Sequence, residues 1–198
     1  SLIENTNIDS YKLIFINNGS YDETFNWTQQ TFSKLFGNNY LIVNNENIGW
    51  IKSINGIYNR IDTPYFLTCH NDVVFSKGWM EEMLKQFDEG DNIAMVGPTS
   101  DFILGIQDIK YNMPGLVSEY AKFICGLFCM FRTSVVAKLI EEDGFFMDPI
   151  FGLGDKEELD YVIRLTNLGY KFKIARKVFI HHDGEKGFVD KFGSKEAF

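Results

Sequence analysis

The sequence predicts an α/β fold: a mainly parallel sheet with helices on both faces. Three observations lead there. Apolar runs of strand length alternate with segments whose apolar residues recur at helical spacing, the signature of βαβ units. The runs are mostly apolar without strict alternation, as strands buried on both faces require. The chain has 198 residues, 45% of them hydrophobic and 16% aromatic, enough to build one core.

Taken in order, residues 11–16 (YKLIFI) read as a buried strand closed by the turn NNGS at 17–20. A helix over 24–36 and a strand at 40–43 (YLIV) follow. Ile51, Ile54, Tyr58 and Ile61 then recur at helical spacing. Residues 65–68 (YFLT) make a third strand. Met80, Met83, Leu84 and Phe87 mark an amphipathic helix, and 93–96 (IAMV) a fourth strand. The second half is less regular. A loop runs from 97 to about 119, followed by the apolar stretch FICGLFCMF (123–131) and a helix near 133–142. A Gly-rich loop leads into a helix near 156–168, and YKFKIARKVFI supplies one or two closing strands. No Pro-, Gly- or Ser-rich linker and no repeat interrupts this order, so residues 1–198 read as one domain.

Composition removes several functions. The formal net charge is −8, from 19 basic and 27 acidic residues, which excludes a nucleic-acid phosphate binder. No apolar run nears the ~20 residues that span a bilayer. No signal peptide is visible at the start. Cys69, Cys125 and Cys129 form no CxxC and read as reduced thiols, hence a cytoplasmic setting. HExxH, paired CxxC, P-loop and GxGxxG patterns are absent, which argues against a closed zinc site, a P-loop and a dinucleotide fold.

The chemistry-bearing residues sit at strand ends, where open parallel sheets bind ligands. The YFLT strand runs into Cys69-His70-Asn71-Asp72, and the closing strand ends in His181-His182. A carboxylate and an imidazole with ligand oxygens suit a divalent cation shared with a diphosphate. The competing reading of residues 71–72 is a turn that uses Asn71 and Asp72 for backbone bonding. On the helix near 156–168, Leu159, Val162, Ile163 and Thr166 form the expected inward stripe. Glu157, Asp160 and Arg164 share the opposite face, and Glu158 lies at the edge. There it is either a half-desolvated general base or the N3 partner of an Asp155 N-cap.

In this order the motifs resemble a family-2 glycosyltransferase. They are INNGSYDET, then NIGWIKSINGIYNRIDTPYFLTCHNDVVFSKGWMEEML, AMVGPTSD, GLFCMFRTSVV, GFFMDPIFGLGDKEELDYVIRL and GYKFKIARKVFIHHDGEKGF, spanning residues 11–188. The resemblance implies the GT-A fold, a three-layer α/β sandwich around a mainly parallel mixed sheet, with a nucleotide-sugar half (about 1–100) and an acceptor half (about 101–190). It implies inverting transfer of a sugar from a UDP-, dTDP- or GDP-sugar to a hydroxyl on a glycan or similar acceptor, in polysaccharide biosynthesis. Mn2+ or Mg2+ is the implied cofactor. Asp72 matches the last Asp of the family's DxD-type motif, with His70 at its first position and Asn71 between them. His182 matches the late metal- or diphosphate-reaching His, with His181 as its substitute. Asn17 and Gly19 fall at the nucleobase turn, Asn47 and Gly49 at the NxG, and Asn55 at the following Asn. Glu158 occupies the general-base position, flanked by Glu157 and Asp160.

Two departures from the family pattern accompany the match. No counterpart of the usual first strand precedes residue 11, so a fragment of a longer protein, or a homo-oligomer that covers the exposed edge, is expected. Asn17 and Glu158 each replace the usual Asp. The alternative reading is a catalytically impaired nucleotide-sugar or glycan-binding module; a nucleotidyltransferase is disfavoured by the lack of a basic Gly-rich loop. Any membrane association is expected through partners at the inner face.

Overall fold

The apolar runs pair into two sheets, one in each of two units. The computed structural model describes residues 1–36, 39–154 and 156–184. Its elements run α1 (Leu2–Asn5), β1 (Ile14–Asn18), α2 (Glu23–Phe36), β2 (Tyr40–Asn44), α3 (Trp50–Ile57), β3 (Tyr65–Cys69) and β4 (Val73–Val74). They continue through α4 (Trp79–Leu84), β5 (Ile93–Ser100), β6 (Glu119–Ala121), β7 (Phe128–Arg132), α5 (Thr133–Asp143), α6 (Glu157–Asn167) and β8 (Lys171–His182). The first unit takes residues 1–5, 65–132 and those from 169 onward; the second takes 6–64 and 133–168.

The first unit holds a six-stranded sheet in the order β3-β7-β5-β8-β4, with β6 also on β8. β5 is buried along its whole length because it lies between β7 and β8, so residues 93–98 are apolar without alternation and the polar Thr99 and Ser100 that follow are buried too. α4 and the turn after it bury Trp79, Met83 and Phe87 against Phe75, Phe128 and Ile180. The Trp79 and Phe128 rings meet edge to face at 5.4 Å.

The α/β class expected from the sequence holds, but the sheets are less parallel than expected. Among the strand pairings of the described residues, β1–β2 and β5–β8 are parallel and the other four are antiparallel. Two of the four come from β7, which inserts between β3 and β5 and runs against both, and two from the short strands β4 and β6 lying against β8. Strand–helix alternation carries no signal for that insertion. Pro98 adds an irregularity. β5 pairs Pro98 with Ala175 but Thr99 with Phe179, so residues 176–178 of β8 bulge out of register. Proline lacks the N–H that would continue the ladder, and the Thr99 hydroxyl donates to the bulged Val178 carbonyl at 2.7 Å.

The second unit pairs β1 with β2 in parallel, with Ile14 opposite Tyr40 and Asn18 opposite Asn44. Phe15 of β1 meets Phe32 of α2 at 5.9 Å. α6 corrects the expected stripe. Its buried residues are Glu157, Tyr161, Val162 and Leu165, whereas Leu159 and Ile163 are 46% and 59% exposed. Positions 157, 161 and 165 recur at i, i+4 and i+8, and the Tyr161 ring packs on Phe146 at 5.6 Å. The largest apolar body set the inward face and carried Glu157 with it. Arg164 then ties the helix to its surroundings through Asp143 and the Phe146 carbonyl, while Asp160, one turn back on the same helix, pairs with its guanidinium.

This face makes a stability prediction. Tyr161→Ala should cost about 3–5 kcal/mol in urea unfolding, whereas Leu159→Ala and Ile163→Ala should each stay within about 1 kcal/mol. Equal losses at all three would restore the original stripe.

Candidate metal and donor site

β3 ends at Cys69 and delivers His70, whose N–H donates to the Leu127 carbonyl at 2.9 Å. β8 ends at His182, opposite Val73 of β4. These two strand ends bring His70, Asp72 and His182 together, with one ligand atom from each lying within 4.8 Å of the others. Ligands about 2.1 Å from a cation sit about 3–4.3 Å apart, so the spacing fits a divalent ion after small adjustments.

The decisive geometry is between Asp72 and His182. Asp72 Oδ1 and His182 Nε2 face one another at 3.4 Å, and both are buried with no hydrogen-bond partner. The other ring nitrogen, His182 Nδ1, lies 2.9 Å from the Phe102 carbonyl oxygen. That oxygen can only accept, so Nδ1 carries a proton, and Nε2 is the ring atom turned toward Asp72. Two lone pairs facing each other in a buried place are costly unless a cation or a proton lies between them. His70 completes the group from an exposed position; the protein packed around its ring still desolvates it enough to hold its pKa below the ordinary histidine value, despite the opposing pull of Asp72.

His181 does not join this cluster. Its Nδ1 pairs with Asp101 Oδ2 at 2.5 Å and its Nε2 lies 3.4 Å from Asp183. The Asp101 bond raises the His181 pKa. For Asp101, burial pulls upward, but the bonds from His181 and from the His182 backbone N–H together hold its carboxyl below the usual range. Asp101 was missed in the sequence, although a carboxylate just past a buried strand is the same signal that marked Asp72. Cys69, next to His70 in sequence, is not among the grouped ligand atoms; burial, and then the Asp72 charge, push its pKa up to about 12. Asn71 is exposed at the turn.

The expected donor residues of the second unit form a backbone-bracing network. Asn17 is buried; its amide donates to Thr28 Oγ1 at 3.3 Å and accepts from the Ser20 N–H at 2.9 Å. Gly19 has φ +78°, and a Cβ there would lie 2.5 Å from the Glu46 carbonyl carbon. Asn18 Oδ1 accepts from Asn44 and from the Ile48 N–H, while its Nδ2 donates to Asn47 Oδ1. Asn47 Oδ1 also accepts from Gly49 N at 2.9 Å, and Gly49, at φ +87°, opens α3 against Leu153. Asn55 clamps Met147 through both backbone groups, at 2.7 and 3.0 Å. Its amide is therefore committed to the chain and not directed at a donor.

Of the three expected catalytic carboxylates, Asp160 is bound by Arg164 Nε and Nη2 at 2.8 and 2.6 Å. Glu157 is buried, its carboxylate near Gly154. Glu158 is half-buried in the first turn of α6. The capping expectation is not met as drawn: the residue preceding the helix is Lys156, in the left-handed region at φ 70° and without a side-chain cap. Asp155 lies outside the described residues. A hollow of about 370 Å³ lined by Ile106, Tyr111, Met113, Glu119 and Arg176 contains none of these candidates.

Comparison with known proteins gives the following. The model of glycosyl transferase family 2 matches residues 1–140, which include His70 and Asp72 and stop short of Glu157, Glu158 and the histidine pair. An uncharacterized glycosyltransferase of Haemophilus influenzae is 28% identical over 104 residues, 52% of this chain and 32% of that protein. A crystal structure of GalNAc-T7 with UDP, GalNAc and Mn2+ is similar over 92% of this chain and 39% of that one, with a TM-score of 0.72 at 12% identity. The chain thus spans well under half the length of either protein. The structural likeness establishes the GT-A fold.

Acid should weaken cation binding, because protons compete for the imidazole lone pairs. With the His70 pKa held low by desolvation, Mn2+ affinity should hold near neutrality and drop as pH falls below about 6.5, the ordinary histidine range. Calorimetric affinity that is flat from about pH 5 to about pH 8 would remove the histidines from the site.

Proposed function

The chain belongs to glycosyl transferase family 2, and from that premise we propose that it moves a sugar, with inversion, from a nucleotide diphosphate donor to an acceptor hydroxyl. The observation that carries the proposal is the buried, unpartnered pair of Asp72 Oδ1 and His182 Nε2 at 3.4 Å. Asp72, His182 and His70 would hold a divalent cation on the donor diphosphate. Two imidazoles beside one carboxylate favour Mn2+ over Mg2+, which prefers oxygen ligands. When bound, such an ion offsets the charge that builds on the leaving diphosphate.

The protein's own part is to fix the ligands and to accept one proton. The Phe102 carbonyl keeps His182 in the tautomer that offers Nε2. The acceptor hydroxyl must lose its proton as it attacks, and Glu158 is the proposed base: it stands on a helix, and among the described residues no ion pair holds it as Arg164 holds Asp160. GalNAc-T7 was solved with UDP and GalNAc, which makes a nucleotide-sugar the first donor class to try. A glycan or similar hydroxyl compound is the corresponding acceptor.

Calorimetry with UDP-, GDP- and dTDP-sugars, with and without Mn2+, tests the donor. Asp72→Asn should abolish Mn2+-dependent binding while leaving the fold intact; equal affinity in the variant, with or without chelator, would defeat the metal role. Glu158→Gln should lower turnover by about 10²–10⁴-fold with donor affinity nearly unchanged. Near-normal turnover would shift the role to Glu157. Donor binding without transfer by the unmodified chain would favour a binding module instead.

A further inference from the structure

We propose that Asp101 is the positioning residue of this site, holding the end of β8 so that His182 and not His181 presents Nε2 to Asp72. The inference rests on the reading of His70, Asp72 and His182 as cation ligands. Successive side chains of a strand point to opposite faces, so only one of the two histidines can face Asp72 at a time. The outer edge of β8 is held there by the two-residue strand β4, through Val73 opposite His182 and Val74 opposite His181, and by the Asp183 N–H on the Asp72 carbonyl at 2.9 Å. Such a short pairing leaves the strand end free to twist unless something else fixes it.

The two-residue segment 101–102 supplies that fixation through three attachments. Asp101 Oδ2 takes the His181 ring at Nδ1, which turns that histidine away from the cluster. Asp101 Oδ1 accepts the backbone N–H of His182 at 3.2 Å. The carbonyl of the next residue, Phe102, accepts from His182 Nδ1 and so selects the tautomer. The segment is itself braced: the Phe102 N–H donates to Ser100 Oγ at 3.3 Å, one residue after the Thr99 hydroxyl has joined β5 to β8 at Val178. One carboxylate therefore sets which histidine serves, and the turn it anchors sets which nitrogen.

The test has two readouts, one of them independent of bound metal. In Mn2+ titrations Asp101→Ala should weaken affinity by about 10–100-fold, the usual effect of losing a group that orients a ligand. Asp101→Asn keeps an oxygen for the His182 N–H and should recover most of that loss. In the metal-free protein at about pH 8, above the ordinary histidine range, imidazole nitrogen NMR should show His182 as a single Nδ1–H tautomer in the unmodified chain and in Asp101→Asn. A mixture is expected in Asp101→Ala. Unchanged Mn2+ affinity with a single tautomer in Asp101→Ala would overturn the proposal. So would a loss in Asp101→Asn as complete as in Asp72→Asn, which would make Asp101 a direct ligand. If the unmodified chain binds no Mn2+, the metal reading fails, while the tautomer measurement still decides whether Asp101 positions His182.

Discussion

Two polar atoms without partners, 3.4 Å apart and shut away from water, organise this molecule. Leaving such atoms unmatched costs stability that a folded protein keeps only where the surroundings enforce it. Here the enforcement is visible on both sides. Asp72 follows β3 closely, and its carbonyl accepts the Asp183 N–H at 2.9 Å, which joins the two strand ends directly. His182 is held by its backbone, by one ring nitrogen and by ring contacts with Phe102 at 5.7 Å and His70 at 6.0 Å. What remains unmatched is Asp72 Oδ1 and His182 Nε2.

The second unit solves a different problem, that of bracing loops with few side chains. Its asparagines act as substitutes for backbone: Asn18 and Asn47 fasten the turn after β1 to the loop after β2, and Asn55 fastens α3 to Met147 as a strand partner would. Amides suit this work because each carries donors and an acceptor and no charge to desolvate. Arg164 does the same at the other end of the unit, and the charge it carries is balanced by Asp143 and Asp160.

Where chemistry coincides with strand ends, the sequence was legible. The abrupt change from YFLT to His70-Asn71-Asp72, and the histidine pair closing β8, both marked positions that the fold brings together. What escaped was whatever depends on a tertiary partner. The face of α6 was set by the fit of Tyr161 to Phe146, which no periodicity count contains, since Leu159 and Ile163 give an equally regular stripe. Asn17 and Asn55 carry the same residue type whether they touch a ligand or the chain. Choosing between His181 and His182 required Asp101, eighty positions away in sequence and brought near only by β5 lying beside β8.

The bulge at residues 176–178 has a consequence for how this chain can change over evolutionary time. Because strand side chains alternate with a period of two, the number of residues between the pairing of Ala175 and that of Phe179 fixes the parity of everything beyond it. A change of one residue that the bulge did not absorb, moving Phe179 off Thr99 by one position, would exchange the faces of His181 and His182 while leaving the composition of the strand end almost unaltered. Loss of two would restore the phase. The pairing that closes the bulge therefore bears on the cluster of His70, Asp72 and His182, although none of the bulged residues belongs to it.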